Sequence, residues 1–274
     1  MRRQAVLLFM AIAALAVVLP AQEREDRTLL SNTEMRAIIN EASGERPLHL
    51  VLEMVPYPRV RDRAEYTTQF RETNTVAKYA KEFGFSNVEV ISYPAPGRSW
   101  HATQGELWLV EPELDKLYDI NDVLVSLAAN SETGDVTAEL VDVGSGTSAS
   151  DYEGKDVTGK IVLGSGSAGQ IQRLAVFEHG AVGVISYSGL RADDIPDQLM
   201  SQSISAAAPG GKTPGFGWSV APRVARLLSA RLARGEKLKM RSVVKSETFE
   251  GEMEMVHATI PGDGSTTQSI MVSA

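Results

Sequence analysis

Cysteine is absent from this sequence of 274 residues. Its absence excludes disulfide bonds, thiolate metal sites and thiol nucleophiles, so any metal ion would have to be bound by His, Asp or Glu. Histidine is also scarce: only His49, His101, His179 and His257 occur, every pair more than 50 positions apart and none in an H-E-x-x-H motif. The sequence therefore gives no indication of a metal site built from neighbouring histidines.

Each histidine is interpreted as structural. His49 lies in a strand-like apolar run and His101 in a predicted loop beside Trp100. His179 is predicted at the C-terminal end of a helix, where the helix carbonyls favour it, and His257 within a strand. The G-x-S-x-G motif of serine hydrolases is also missing. The sequence thus predicts no catalytic, no cofactor-binding and no metal-binding residue in this chain.

A surplus of basic residues is missing as well. Lysine and arginine total 27 against 35 acidic residues, which gives a net charge of -8, and no long basic run occurs. These features exclude a general nucleic-acid-binding protein. Aromatic residues make up only 6% of the chain, but 43% of the residues are apolar, which is enough for a sizeable core in one or two domains.

Residues 1–21 have the pattern of a signal peptide. Arg2 and Arg3 precede an uninterrupted apolar stretch at 5–19, and Pro20-Ala21-Gln22 offers a small-residue cleavage point. The apolar stretch is shorter than the roughly 20 residues that span a bilayer. We therefore expect an exported protein, periplasmic or extracellular, with no membrane association after cleavage. A retained membrane anchor is the alternative.

Helices dominate the predicted structure up to residue 83. Ser31 and Glu34 have the spacing of a capping box, and apolar residues at helical spacing follow until Gly44. A second amphipathic helix is predicted over 62–83. The proline-containing apolar segment between them, 47–58, is interpreted as a short strand.

Strands and turns are predicted from residue 88 onward. Residues 88–93 and 106–110 read as strands by their β-branched and aromatic content, separated by a proline- and glycine-rich turn at 94–97. The polar turn cluster at 130–135 is the predicted domain boundary.

A small α/β unit is predicted after this boundary. Short strands are expected at 136–143, 160–163 and 182–187, with a helix at 170–179 between the last two. Segment 188–217 has little periodicity and is interpreted as a long surface loop. A helix from Pro222 to Gly235 then precedes alternating strands at 237–244, 253–260 and 269–273. Because the last strand runs into the final residue, the sequence is expected to be truncated; a natural edge strand is the alternative.

Gly164, Gly166 and Gly169 form a G-x-G-x-x-G motif after a predicted strand and before a predicted helix, which is the context of dinucleotide binding. Dinucleotide binding also needs an acidic residue at the end of the next strand. Ser186-Tyr187-Ser188 occupies that place, and the first acidic residues lie beyond it in the predicted loop. A glycine turn into a helix is therefore the favoured interpretation, and nicotinamide or flavin binding is the weaker alternative.

Three segments in order resemble a protease-associated (PA) domain. They are residues 142–147 (DVGSGT), 151–163 (DYEGKDVTGKIVL) and 180–185 (GAVGVI). In this pattern Gly159-Lys160 turns the chain into a buried strand, and glycines let the helix end and the next strand pack closely. The predicted helix and strand over 222–244 are similar to the C-terminal part of that domain.

The flanking sequence resembles the start of secreted zinc aminopeptidases that carry a PA insertion. Before the PA-like segment the resemblance rests on the predicted helix at 63–83, Gly84-Phe85 and Val88-Glu89-Val90. After it, residues 255–262 (MVHATIPG) and 270–274 (IMVSA) are similar to the family's return into its catalytic sheet. The resemblance implies a centre of two zinc ions whose first ligands, a His-x-Asp pair, would be expected just beyond Ala274. None of the family's ligands or catalytic carboxylates matches a position in this sequence.

The resemblance implies an α/β fold of α+β character, in which a small β/α PA domain is inserted into the start of an α/β zinc-peptidase domain that is truncated in this chain. The implied regions are a signal peptide (1–21), the first part of the peptidase domain (22–133), the PA domain (134–246) and the return into the catalytic sheet (247–274).

For the intact protein the resemblance implies hydrolysis of peptide bonds by a zinc-activated water, with peptides or proteins as substrates. The PA domain would act as a lid or as a substrate-access module. A complete, non-catalytic exported binding protein built on the same domain is the alternative, and a cofactor-binding oxidoreductase is a more distant one.

Overall fold

The computed structural model describes residues 30–55, 62–189 and 191–273. Within these ranges the helices are α1 (Asn32–Glu41), α2 (Glu45–Met54), α3 (Arg71–Glu82), α4 (Ala168–Ala175) and α5 (Pro222–Ala233). The strands are β1 (Ser86–Glu111), β2 (Asp115–Asp119), β3 (Gly134–Asp142), β4 (Ile161–Gly164), β5 (Gly183–Ser186), β6 (Phe216–Ser219) and β7 (Lys239–Thr259). In the part of the chain that is described, no helix is long and apolar enough to cross a membrane. The predicted signal peptide at 1–21 lies outside the described residues.

Contacts divide the chain into two units, one ending at Val51 and the other beginning at Leu52. In the first unit, helix α1 begins as the sequence predicts. The Ser31 hydroxyl accepts the Glu34 N–H at 3.3 Å, and the Glu34 carboxylate accepts the Ser31 N–H at 2.8 Å. The capping box is therefore confirmed, since each residue satisfies a backbone donor that the helix start leaves unpaired.

The predicted short strand within 47–58 is wrong, because α2 (Glu45–Met54) occupies most of it. Leu48, Val51, Leu52 and Val55 recur at positions i, i+3, i+4 and i+7, the spacing of a helix face, and Pro47 falls in the first turn, where its missing N–H costs no hydrogen bond. His49 consequently lies on a helix, with an exposed side chain.

The predicted helix over 62–83 is interrupted. A 3₁₀ turn at Arg63–Tyr66 is followed by a break, and α3 begins only at Arg71. In the break, the hydroxyls of Thr67 and Thr68 donate to the carbonyls of Arg63 and Ala64. Such side-chain bonds give the backbone an alternative to helix continuation. Helix α3 ends as predicted at Gly84, which has a left-handed φ of 83°.

The second unit is organised around a mixed seven-stranded sheet with the strand order β2-β1-β7-β3-β4-β5-β6. Strands β3 to β6 run parallel to one another, whereas β1, β2 and β7 pair antiparallel. Helix α4 connects β4 to β5, and α5 connects β6 to β7. This architecture confirms the predicted α/β fold class.

The two strands predicted at 88–93 and 106–110 are one strand, β1, and those predicted at 237–244 and 253–260 are one strand, β7. They pair with each other from Ser86↔Thr259 to Glu111↔Lys239. The predicted turn at 94–97 is an irregularity within β1, where the register shifts between Pro94 and Arg98. A bulge accommodates both Pro94, which has no N–H, and Gly97, whose φ is 90°. His101 therefore lies in a strand and not in the loop that the sequence predicted.

Two further predictions at the C-terminal side need correction. The predicted loop at 188–217 gives way at Phe216 to β6, a strand of four buried residues that pairs with β5. This strand is too short and too rich in glycine and serine to show a pattern. The strand predicted at 269–273 does not form: no other described strand pairs with these residues, and Ile270, Met271 and Val272 are exposed.

Two apolar clusters cover opposite faces of the parallel strands. Along β4, Ile161 and Leu163 belong to the first cluster, with Trp218 of β6 and Leu228 of α5. Val162, between them, belongs to the second cluster, with Ile171 of α4. This alternation is what a strand buried on both faces requires. The strands predicted at 136–143, 160–163 and 182–187 and the helices predicted at 170–179 and from Pro222 are thus confirmed, with shifted ends.

The first cluster includes residues on both sides of the predicted boundary near 134. Leu107 of β1, Tyr118 of β2 and Ile120 pack in the same core as Met240 of β7. The limits proposed for the PA domain, 134 and 246, stay a prediction.

Candidate functional site

The structure places the four histidines on different elements. His49 and His257 are exposed, on α2 and β7, and the exposed His179 ring stacks on Tyr152 with the ring centroids 4.6 Å apart. His101 is only 5% exposed and lies on β1, opposite Glu247 of β7. Among the described residues, no three His, Asp or Glu side chains are placed so that they could hold a metal ion. The expectation that this chain carries no site residues stays a prediction.

The glycine motif has the strand-turn-helix setting, but three of its backbone donors already have partners. Ser165 N–H and Gly166 N–H donate to the carbonyls of Gly144 and Ser145, both at 2.9 Å. At the start of α4, Ala168 N–H donates to Gln202 Oε1 at 3.1 Å. These are the groups that would otherwise face a pyrophosphate at a helix N-terminus.

Gly166 is required by packing against the neighbouring loop. A Cβ at this position would lie 2.3 Å from Thr147 Cγ2 and 2.8 Å from the Ser145 carbonyl oxygen. Both distances are far below van der Waals contact, so only glycine lets the two loops meet. The structure therefore favours the glycine-turn interpretation of this motif.

Asp151 holds the other loop of this pair in place. Its carboxylate accepts the Ser145 hydroxyl and the N–H groups of Thr147 and Ser148, at 2.9 and 3.1 Å for the two amides. These hydrogen bonds, led by that from Ser145, lower the pKa of the Asp151 carboxyl to about 2. Asp151 therefore stabilises the DVGSGT segment of the PA-like pattern through its Oδ2 atom.

A cleft of about 210 Å³ lies beside β1 and has polar groups in its wall. Its walls are mainly apolar, formed by Ala102, Ile120, Leu124, Val125, Leu127 and Ala129. Trp100, His101, Ser201 and Gln202 complete the lining. The cleft therefore combines an apolar surface with two rings and a small number of hydrogen-bonding groups, as ligand sites commonly do.

Hydrogen bonds fix the cleft's main polar and aromatic groups. Trp100 Nε1 donates to the Ser131 carbonyl at 3.0 Å, and Ala129 N–H donates to the Gln202 carbonyl at 2.9 Å. Ser131 is itself held by its buried hydroxyl, which donates to the Ala128 carbonyl and accepts the Gly217 N–H. The lining is therefore pre-formed by the fold.

Burial is the main influence on His101. It lowers the pKa of the imidazole, and the charge of Arg63 acts in the same direction, whereas Glu247 and Asp62 oppose the shift. Arg63 also forms an ion pair with Glu247 at 3.2 Å. His101 is thus kept neutral more strongly than an exposed histidine.

Sequence reasoning missed this cleft. Its residues come from β1, the segment around 120–129 and the segment at 201–202, which are far apart along the chain. The one local signal is the adjacent pair Trp100-His101, of which the sequence pattern predicts only a structural role for His101.

A second feature is an apolar arm formed by residues 86–94 of β1 and 252–259 of β7. Over this stretch the two strands pair only with each other among the described residues. Large apolar side chains are exposed on it, including Val90, Ile91, Tyr93, Met253 and Met255. Because Val90 and Ile91 are consecutive, they point to opposite faces of the ribbon. A patch of this kind is typical of an interface.

No protein-family model and no curated protein matches this chain. Solved structures do match. An aminopeptidase from Aneurinibacillus sp. strain AM-1 aligns at 22% identity and TM-score 0.50 over 85% of this chain and 51% of its own. A peptidase M28 precursor from Shewanella amazonensis SB2B aligns at 18% identity and TM-score 0.51, over 77% of this chain and 48% of its own. BSAP, a zinc aminopeptidase from Bacillus subtilis, aligns at 16% identity and TM-score 0.52, over 78% of this chain and 46% of its own.

The chain shares the fold of these peptidases. At this level of identity the likeness concerns the fold alone, and the chain spans about half the length of the structures it matches. The predicted zinc-peptidase-like α/β architecture is therefore confirmed in its general form.

Proposed function

We propose that this chain is the first part of an exported zinc aminopeptidase, with a PA domain over about 134–246. The observation that carries the proposal is the fold shared with aminopeptidases over more than three quarters of this chain but only about half of theirs. The PA-like segments at 142–147, 151–163 and 180–185 support the domain assignment.

The apolar arm supports the same proposal. A two-stranded ribbon with apolar side chains on both faces is poorly stable in water by itself. Helix α3 packs against β1 and β7, but Val90, Ile91 and Met255 stay exposed. In the proposed complete enzyme, further strands and helices of the peptidase domain would cover these residues.

Zinc does not fit the described residues. With no cysteine in the sequence and no cluster of three His, Asp or Glu side chains in the described ranges, the chain offers no ligand set there. The proposal therefore assigns both zinc ions, and the hydrolysis of peptide bonds, to parts of the complete protein other than the residues described here. The role that it leaves to the PA domain is that of a lid or substrate-access module.

A second candidate is a non-catalytic exported binding protein. The pre-formed cleft at Trp100 favours it, because binding of a peptide needs no metal. Dinucleotide binding is disfavoured, since the backbone N–H groups of Ser165, Gly166 and Ala168 are already bonded within the chain.

The test is to express the open reading frame that contains this sequence in full and the 274-residue chain beside it. We expect the full product to bind zinc and to release nitroaniline from aminoacyl p-nitroanilides in a chelator-sensitive manner, and the 274-residue chain to do neither. Mass spectrometry of the exported product should find a mature N-terminus close to Gln22. A reading frame that ends at Ala274, together with a metal-free product, would favour the binding protein.

A further inference from the structure

We propose that the cleft beside β1 binds a single aromatic side chain of a peptide, of the size of phenylalanine, and that the Gln202 side-chain amide donates a hydrogen bond to the peptide backbone. The inference rests on the proposed function, because peptides are the ligand class of the proposed enzyme. It assigns a ligand-binding site to the described residues.

The volume of the cleft selects the size of the ligand. Pockets for cofactors and drug-sized molecules occupy roughly 300 to 1,000 Å³. At about 210 Å³ the cleft is smaller than these pockets. It is larger than the roughly 150 Å³ of a protein cavity that accepts benzene. One ring-sized side chain is therefore the natural occupant, and a nucleotide is too large.

The chemistry of the walls selects an apolar, aromatic occupant. Six aliphatic side chains line the cleft, and the rings of Trp100 and His101 complete it. Burying an aromatic side chain among such groups removes a large apolar area from water, and a ring can add edge-to-face contacts with the resident rings. Leu124 and Val125 are 39% and 42% exposed, so much of the apolar surface of this lining faces solvent.

Gln202 supplies the polar contact. Its Oε1 accepts the Ala168 N–H, which fixes the orientation of the amide. The Nε2 group is then the part of the amide that can donate a hydrogen bond to a ligand. Among the described residues, Nε2 has no hydrogen-bond acceptor, although Gln202 is partly buried and lines the cleft. A donor held in this way matches the backbone carbonyl beside an inserted side chain.

The test uses the 274-residue chain and N-acetyl-phenylalaninamide, with N-acetyl-serinamide as the matched probe without an aromatic ring. The Trp100 indole N–H is the reporter in two-dimensional NMR spectra, since it is anchored to the Ser131 carbonyl at the cleft. A Trp100→Phe variant assigns its signal. We expect a saturable shift with the phenylalanine probe and a dissociation constant at least tenfold higher with the serine probe.

Two pairs of variants test the walls and the amide separately. Leu124→Asp should weaken binding of the phenylalanine probe at least tenfold, whereas Leu114→Asp, the same change at a residue that is 73% exposed and outside the cleft, should leave it unchanged. Gln202→Glu keeps the acceptor for Ala168 but removes the donor, and should weaken binding severalfold. Gln198→Glu adds the same charge outside the cleft and should have no effect.

Thermal unfolding of each variant confirms that it is folded, and Val125→Asp replaces Leu124→Asp if that variant is not. Equal binding of the two probes, no saturable shift, or equal losses for the Leu124 and Leu114 variants would overturn the inference. If the phenylalanine probe binds but the complete protein has no peptidase activity, the proposed enzyme is rejected and the proposed binding site stands. If the complete protein has peptidase activity but the phenylalanine probe does not bind, only the proposed binding site is rejected.

Discussion

Trp218 of β6 donates its indole N–H to the hydroxyl of Ser242 in β7 at 2.8 Å, and both residues are fully buried. In the sheet order, three other strands stand between β6 and β7. A direct hydrogen bond between these strands therefore requires the sheet to curl, so that its two sides face each other across the core. The Trp218 side chain fills the space between them.

Trp218→Phe should lower the free energy of unfolding by about 2 to 4 kcal/mol, because it removes volume from the core and leaves the Ser242 hydroxyl buried without its partner. Urea titration measures the loss. The double variant with Ser242→Ala should lose less than the two single variants together. Trp108→Phe, at a partly exposed indole that donates to Glu106, is the control and should cost clearly less. Full additivity of the pair would contradict a direct coupling.

Ser126 and Ser219 are fully buried, and their hydroxyls have no hydrogen-bond partner among the described residues. Removing an unpaired buried hydroxyl relieves a desolvation cost. We expect Ser126→Ala and Ser219→Ala to change the free energy of unfolding by less than about 0.5 kcal/mol or to raise it. Ser131→Ala is the contrast: it breaks bonds to Ala128 and Gly217 and should cost about 1 to 3 kcal/mol. A loss of that size at Ser126 would reveal a partner such as a buried water.

Gly183 is needed where β5 meets the Phe216 ring. A Cβ at this glycine would lie 2.3 Å from the ring atoms Cε2 and Cζ. Gly183→Ala should therefore lower the free energy of unfolding by about 1 to 3 kcal/mol through overpacking. Gly134→Ala is the matched control, because its Cβ would meet only Val136 Cγ2, at 3.8 Å. Phe216→Leu in the Gly183→Ala background should recover part of the loss, and a failure to do so would place the strain elsewhere.

Acidification should reduce stability through His101. Because burial lowers the pKa of this imidazole in the folded chain, the unfolded chain binds the proton more readily. The free energy of unfolding should then be highest above the unfolded pKa of about 6.5 and should fall as the pH drops from there towards the lower folded pKa. Urea titrations between about pH 7.5 and pH 5 should show a smaller decrease for His101→Gln than for the wild type. His257→Gln, at an exposed histidine, should retain the wild-type slope.

Elements with local signals were predictable. The capping box at Ser31 and Glu34, the left-handed stop at Gly84 and the short apolar runs of β3, β4 and β5 depend on neighbours within a few residues. Their physical causes, backbone capping and burial of one or both strand faces, can be read from residue type and spacing.

Elements whose partners lie far away were not predictable. Pro94 and Gly97 carry the signal of a turn, yet they lie within one long strand because β7 pairs with both sides of the irregularity. Strand β6 has no pattern of its own and exists because β5 offers it hydrogen bonds. Residues 269–273 have the pattern of a strand and form none, because a strand needs a neighbour.

The sequence by itself determined the α/β class, the succession of β3, β4, α4, β5 and α5 along the chain, and the resemblance that led to the peptidase fold, because these depend on local pattern and chain order. Only the tertiary structure decided that the glycine motif is closed by the loop at 143–147, that His101 is buried, and that a cleft forms between Trp100 and Gln202. These features depend on contacts between residues that are far apart in the chain. Such contacts form, and stabilise the fold, only when the curled sheet brings the residues together.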